Sequence, residues 1–364
     1  MTDAVSPAHS RAPPAAEPER KPVSLALQGG GSHGAFTWGV LDVLLEDGRL
    51  QFDGISGASA GAMNAVVLGS GFAAHPEDPL AARQAARKSL AHFWHKIARM
   101  GEASKLQRGW MEMWLTGWRA SGMVPSASAL SPAQLNPLDI NPLRELLADC
   151  VDFKRLAQTS TPHIHVCATH VKTGKAEIFS GKRLTEAAVM ASACLPMLFR
   201  AVEIEGEHYW DGGFSGNPAL HPLIYRCTAS DIVLIQINPV ERNAVPDTGD
   251  EILDRVNELT FNASLLPQMR AIDWVNRLIQ QGYLPSERYR TIRLHRIDGG
   301  EALEAYPASS KSRADGKLIE ALFELGRQCG ERWLKKHFDE VGLKSSINIS
   351  KDYLDDMRMG HPSD

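Results

Sequence analysis

Between Val23 and Phe72 the chain reads twice in succession as strand, glycine turn, helix, and this doubling constrains the fold more than any other feature. Val23 to Gln28 (VSLALQ) is a short apolar, β-branched run that stops at Gly29, as a buried strand does before its loop. Beyond the glycines, Ala35 to Glu46 places Phe36, Val40, Val43 and Leu44 at helical spacing, and Asp47-Gly48 closes the helix. Phe52 to Ser56 is a second strand, Gly57 to Gly61 a tight turn, and Ala62 to Phe72 an apolar helix. A βαβα start predicts an α/β fold around a parallel sheet, because parallel neighbours need a crossover helix.

Further along, Asp78-Pro79 opens a helix with Ala86, Leu90, Phe93, Trp94 and Ile97 on one face. His163 to Thr169 and Ala176 to Phe179 read as a hairpin, and Leu184 to Ala193 as a small-residue helix. Val202 to Ile204, His208 to Trp210 and Asp231 to Ile237 read as strands, and helices over about 251–281 and 314–338 finish the body. The expected domain is 23–340, with a Trp-, Met- and Pro-rich stretch at about 109–142 as a lid or insertion. Residues 1–22, rich in Pro, Ala and charge, read as a disordered tail without the apolar core of a secretory signal, and 341–364 as a polar tail.

Composition narrows the function classes. The formal net charge of −4 over 364 residues supplies no concentrated basic surface, so no nucleic-acid partner is expected. No run of 18 apolar residues occurs, which leaves no membrane-spanning segment and makes a cytoplasmic protein the expectation, one with peripheral membrane contact. The five cysteines are scattered and odd in number, without C-x-x-C pairs, and read as reduced thiols; no metal and no cofactor are expected. His163, His165, His170 and His208 lie in or beside strands without ligand-like spacing and read as structural.

Gly57-Ala58-Ser59-Ala60-Gly61 matches G-x-S-x-G at a strand-to-helix junction, the context in which the motif carries a nucleophile. Small neighbours let strand and helix close in, so the backbone at Ser59 is strained and the hydroxyl is aimed off the sheet. The unpaired amides and dipole at the helix start also favour a developing oxyanion. A plain Gly/Ala turn capped by Ser59 is the bland alternative. Gly29-Gly30-Gly31-Ser32-His33-Gly34, at the end of the first strand, offers backbone amides for an oxyanion hole. These glycines also satisfy G-x-G-x-x-G, the dinucleotide fingerprint, with Asp53 downstream as the ribose acid; but Asp53 precedes its strand's apolar residues, and Ser59 is then unexplained.

A nucleophilic serine needs a base. Asp211-Gly212-Gly213, directly after a strand, is the best candidate, because glycines let the chain leave the strand sharply and turn the carboxylate toward a neighbouring strand end. The plain reading of the tripeptide is a turn. A Ser59–Asp211–His295 triad falls in the α/β-hydrolase order, but only one short strand precedes the serine's strand.

Taken together, GGGSHGAF, GASAG, MASACLP and DGG, in this order from Gly29 to Gly213, resemble the patatin-like phospholipase family, with weaker likeness in NPLDINPLRELL. The resemblance implies a three-layer α/β fold and a Ser–Asp dyad without histidine, carried by Ser59 and Asp211, with an oxyanion hole in Gly29 to Gly34. It implies a lipid or other acyl-ester substrate, cleaved through an acyl-enzyme. Acyl transfer or thioester cleavage on the same dyad, and dinucleotide binding, stand as alternatives. One departure is His33, where the family often has Arg or Lys; a histidine loses its charge around neutrality, which predicts pH-dependent anion handling at the loop. Trp110, Trp114 and Trp118 would form one stripe if helical; core packing is the expected reading, with a lid or surface that meets lipid as the alternative.

Overall fold

The computed structural model describes residues 20–103, 141–159, 162–196, 198–312 and 314–354. The first strand, β1 (Lys21–Leu27), alternates its burial: Val23, Leu25 and Leu27 pack into one apolar cluster and Ala26 into another. The strand β7 (Asp231–Gln236) does the same, with Val233 and Ile235 on one side and Ile232 and Leu234 on the other. A sheet buried on both faces needs a helical layer on each, and that is the architecture.

Eight strands form one sheet. β1 lies between β2 (Leu50–Gly57) and β7, β2 continues to β3 (His163–His170), and β7 to β8 (Arg293–Asp298), all pairs parallel. β4 (Ala176–Phe179), β5 (Val202–Ile204) and β6 (Glu207–Asp211) make the antiparallel part. Three helices that follow the first two strands cover one face: α1 (Gly34–Asp47), α2 (Ala60–Ala74) and α3 (Pro79–Ala103). The helix Gly316–His337 packs along α1 on the same side. The opposite face is covered by Leu223 from His221–Arg226 and by Leu265, Met269 and Ile272 from Leu265–Gln280.

The register places the site. Val166 of β3 pairs with Gly57 of β2 on one edge and with Phe179 of β4 on the other. Two residues on, Ala168 pairs with Glu177 of β4 and with Asp211 of β6. Since β4 occupies one edge throughout, β2 and β6 share the other and meet end to end. The last residue of β6 therefore sits beside the C-terminal end of β2, at the point where the chain turns into α2.

The elements expected from sequence occur, with differences toward the C-terminal end of the chain. The single helix expected over 251–281 is two, Gly249–Asn262 and Leu265–Gln280, separated at Ala263 and Ser264. The edge strand β8 has no counterpart in the sequence reading, because Arg293, Arg296 and Asp298 interrupt its apolar pattern. Residues 341–354, expected as a tail, pack on the body: Val341, Ile349 and Tyr353 are buried, and the Tyr353 hydroxyl donates to Gln236 Oε1 at 2.6 Å. Trp110, Trp114 and Trp118 lie outside the described residues.

Candidate active site

The turn from β2 into α2 is as tight as its composition suggests. A Cβ on Gly57 would lie 2.5 Å from the carbonyl of Gly61, and one on Gly61 would lie 2.2 Å from the Leu27 carbonyl oxygen of β1. Between them Ser59 adopts φ 53° and ψ −123°, a conformation that costs a non-glycine residue roughly 1–3 kcal/mol. Its N–H donates to Ser192 Oγ at 2.9 Å, so the helix Glu186–Ser192 from the MASACLP segment holds the turn from the side. Gly61 N–H donates to the Ala58 carbonyl, and Ser59 itself stays half-buried and reachable.

Asp211 is 1% exposed and its main chain is pinned on both sides. Its N–H donates to the Cys194 carbonyl at 2.7 Å, and its carbonyl accepts from Thr169 Oγ1 at 2.7 Å. Gly212 packs where a Cβ would lie 2.0 Å from the Cys167 carbonyl oxygen and 3.2 Å from the Ala58 Cβ, which sets the Asp-Gly-Gly turn directly against the Ser59 turn. In the carboxyl group, Oδ1 accepts from Gly213 N–H at 2.7 Å, while Oδ2 has no hydrogen-bond partner among the described residues. Burial pushes this carboxyl up to about 7, with the Gly213 N–H and the Ser59 hydroxyl pulling the other way. The Ser59 hydroxyl thus lies close enough to influence the carboxyl, with no hydrogen bond formed to Oδ2.

Gly29 closes the site from the β1 side: a Cβ there would lie 2.6 Å from the Ala58 carbonyl oxygen and 2.8 Å from the Ser59 Cβ. Within Gly29–Gly34 the amides divide into two groups. Gly29 N–H is spent on Asn217 Oδ1 at 2.6 Å, His33 N–H on the Gly30 carbonyl, and Gly34 N–H on the carbonyls of Gly31 and Ser32. Those of Gly30, Gly31 and Ser32 have no partner among the described residues, and neither has Ala60 N–H at the start of α2.

The pH-dependent histidine expected in this loop does not materialise. His33 is 2% exposed, and burial first, then the cations Lys311 and Arg242, push its pKa well below 6.5. Ser310 Oγ donates to the Pro307 carbonyl and so accepts from His33 Nε2–H at 2.7 Å, which fixes the proton on Nε2, while burial and the two cations disfavour a second proton on the ring.

Sequence reasoning overlooked four buried amides, of which Asn217 and Asn238 bond the loop's first residue, Gly29, while Gln28 and Asn262 tie the network together. Gln28 Oε1 accepts from Ile237 N–H, Asn238 N–H and Asn238 Nδ2, while Gln28 Nε2 donates to Asn262 Oδ1 and the Asn217 carbonyl. Asn238 Nδ2 also donates to the Gly29 carbonyl at 3.0 Å. Their signal was available: Gln28 ends one apolar strand and Asn238 directly follows another, where an uncharged polar residue has reason to be only if it is paired.

The competing constellations come apart. Asp53 accepts from Thr228 N–H, Thr228 Oγ1 and Ala229 N–H, in the first half of β2 and away from the glycine loop at the strands' other end. His295 is fully buried on β8, where Nε2 meets Asp231 Oδ1 at 2.9 Å, and β7 and β1 separate it from β2, a span of about 14 Å. Among the described residues, one grouping has metal-ligand spacing, His92, Asp149 and Cys150, and its Asp149 is already paired with Lys96.

A family model described as patatin-like phospholipase matches residues 25–224. The chain belongs to the patatin-like phospholipase family. A search of curated proteins found no match. Among solved structures, VipD from Legionella pneumophila is similar at 16% identity, over 93% of this chain and 73% of that one, with a TM-score of 0.39, a likeness that carries no argument about the site. The sheet between two helical layers is the patatin-like α/β fold, and the matched span includes the glycine loop, Ser59 and Asp211 of this patatin-like chain. No helix among the described residues is long and apolar enough to cross a membrane.

Proposed function

We propose that the chain is a serine lipid acyl hydrolase that cleaves carboxylic esters through a Ser59–Asp211 dyad. The observation that carries this reading is the meeting of a strained, reachable Ser59 with a buried Asp211 whose Oδ2 has no hydrogen-bond partner among the described residues and whose pKa is raised to about 7. A carboxyl tuned to that value is basic enough to accept a proton from a hydroxyl in the transition state and is about half ionised at pH 7. Family membership supplies the substrate class, a lipid acyl ester.

In this mechanism Asp211 Oδ2 takes the Ser59 proton as Ser59 Oγ attacks the ester carbonyl carbon. The carbonyl oxygen becomes an oxyanion, and the free N–H groups of Gly30, Gly31 and Ser32, with that of Ala60, are the donors available to hold it. Collapse breaks the bond to the alcohol, which leaves with the proton from Asp211, and an acyl-serine remains. Asp211 then deprotonates a water that attacks the acyl-serine; the bond from the acyl carbon to Ser59 Oγ breaks, Oγ takes the proton back from Asp211, and the fatty acid departs. The dinucleotide alternative has lost its ribose acid to Thr228 and Ala229.

The test is intact-protein mass after exposure to a fluorophosphonate probe. The expected result is one adduct on the wild type, none on Ser59→Ala and a rate at least ~100-fold lower on Asp211→Asn, both variants folded by circular dichroism. An adduct that persists on Ser59→Ala would overturn the assignment.

A further inference from the structure

A turn from the far end of the chain, Ala308–Ser312, closes over the glycine loop. Gly31 has φ +55°, and a Cβ there would lie 2.2 Å from the Lys311 carbonyl oxygen, so the two main chains abut. The Lys311 side chain then runs past Gly30, where a Cβ would lie 3.7 Å from its Cδ, and Nζ donates to Asn238 Oδ1 at 2.6 Å. Asn238 Nδ2 in turn donates to the Gly29 carbonyl. The ammonium is thus connected through one amide side chain to the residue from which the loop's free N–H groups follow.

The charged groups that face Lys311 are Glu258 and Asp254 from the helix Gly249–Asn262, together with Arg242; His33 on the loop side is neutral. Glu258 is taken by two arginines, Arg242 and Arg255, and the hydrogen bond of Lys311 goes to a neutral amide. This hydrogen bond brings its charge onto the Asn238 amide. A cation on Oδ1 polarises that amide and strengthens what Nδ2 donates to Gly29, which is how hydrogen-bond chains reinforce each other in a low dielectric.

We propose that Lys311 is a positioning residue of the acyl-transfer site, which through Asn238 fixes the peptide at Gly29 and keeps the N–H groups of Gly30, Gly31 and Ser32 aimed at the oxyanion. The proposal rests on the Ser59–Asp211 reading. It differs from a purely structural role in its dependence on charge: burial pushes the Lys311 ammonium down to about 8, so the loop loses its cation in mildly alkaline solution while the side chain remains in place.

The experiment uses the full chain as wild type, Lys311→Met and Lys311→Arg, with fluorophosphonate labelling rates and kcat and KM for p-nitrophenyl butyrate measured from pH 6 to 10. Wild-type labelling is expected to fall as the pH rises through about 8. Lys311→Arg keeps its charge over this range, so its rate should hold to pH 10 and stay within about threefold of wild type at neutral pH. Lys311→Met should lose on the order of 10- to 100-fold in kcat with KM little changed. A Lys311→Met variant that labels at the wild-type rate, or an alkaline fall shared by wild type and Lys311→Arg, overturns the proposal. If Lys311→Met does not fold, the comparison of wild type with Lys311→Arg decides. A wild type that takes no adduct sinks the Ser59 reading as well, whereas a labelled wild type matched by Lys311→Met sinks this proposal alone.

Discussion

Replacing Asp211 by Asn should make the protein more stable as the pH rises, and the size of the gain follows from the burial of this carboxyl. The group is 1% exposed, and burial raises its pKa from 3.8 to about 7 in the folded chain. Between these values the folded state binds a proton that the unfolded state has released, so stability falls as pH rises. Wild-type stability from this group is complete below 3.8, declines by about 1.4 kcal/mol per pH unit, and has lost about 4 kcal/mol once the pH passes 7. Asn carries no charge at any of these pH values and escapes the decline. It keeps an oxygen for Gly213 N–H, and its new NH2 replaces an Oδ2 that already lacks a hydrogen-bond partner among the described residues. Whatever that swap costs is independent of pH and cancels when two pH values are compared.

The assay is urea unfolding of both proteins at pH 4.5 and pH 8, with the difference between variant and wild type taken at each. That difference should grow by about 3 kcal/mol from the lower to the higher pH, in favour of Asp211→Asn. Activity should move the opposite way, because in the proposed mechanism only the ionised wild-type carboxylate takes the Ser59 proton: kcat/KM should rise through an acid limb near 7. A stability difference that stays flat with pH would mean that Asp211 is not held in a desolvated site, and the basis for its role as base would be gone.

Two further substitutions probe the geometry. Gly29→Ala puts a Cβ 2.6 Å from the Ala58 carbonyl oxygen, so it should cost about 1–3 kcal/mol by thermal melting and slow fluorophosphonate labelling on the order of 100-fold; labelling at the wild-type rate would show that the loop does not brace the Ser59 turn. His295→Ala removes the ring from the buried Asp231 and should destabilise by about 2–4 kcal/mol while the labelling rate stays within about twofold; lost labelling in a folded variant would restore a histidine triad.

The contrast between what the sequence reveals and what it hides follows from the range of the interactions. The Ser59 turn is legible because its constraint is local: Gly57 and Gly61 must be small wherever a strand and a helix meet so closely, and Ser59 is strained by its own neighbours. Asp211 is half legible. Its glycines mark a sharp exit from a strand, but the end-to-end meeting of β6 with β2 is set by pairings of β3 on both its edges. His33 was misjudged because its charge depends on Ser310, Lys311 and Arg242, all of them distant in sequence. The amides Gln28, Asn217, Asn238 and Asn262 come from four separate segments, and each read alone is an unremarkable polar residue at the end of an element. Two of them, Asn217 and Asn238, bond Gly29 directly, and Gln28 links those two to each other and to Asn262. A nucleophile can be written into five consecutive residues, whereas an oxyanion hole needs donors whose directions do not relax, and that rigidity has to be supplied by parts of the chain that meet only in the folded state.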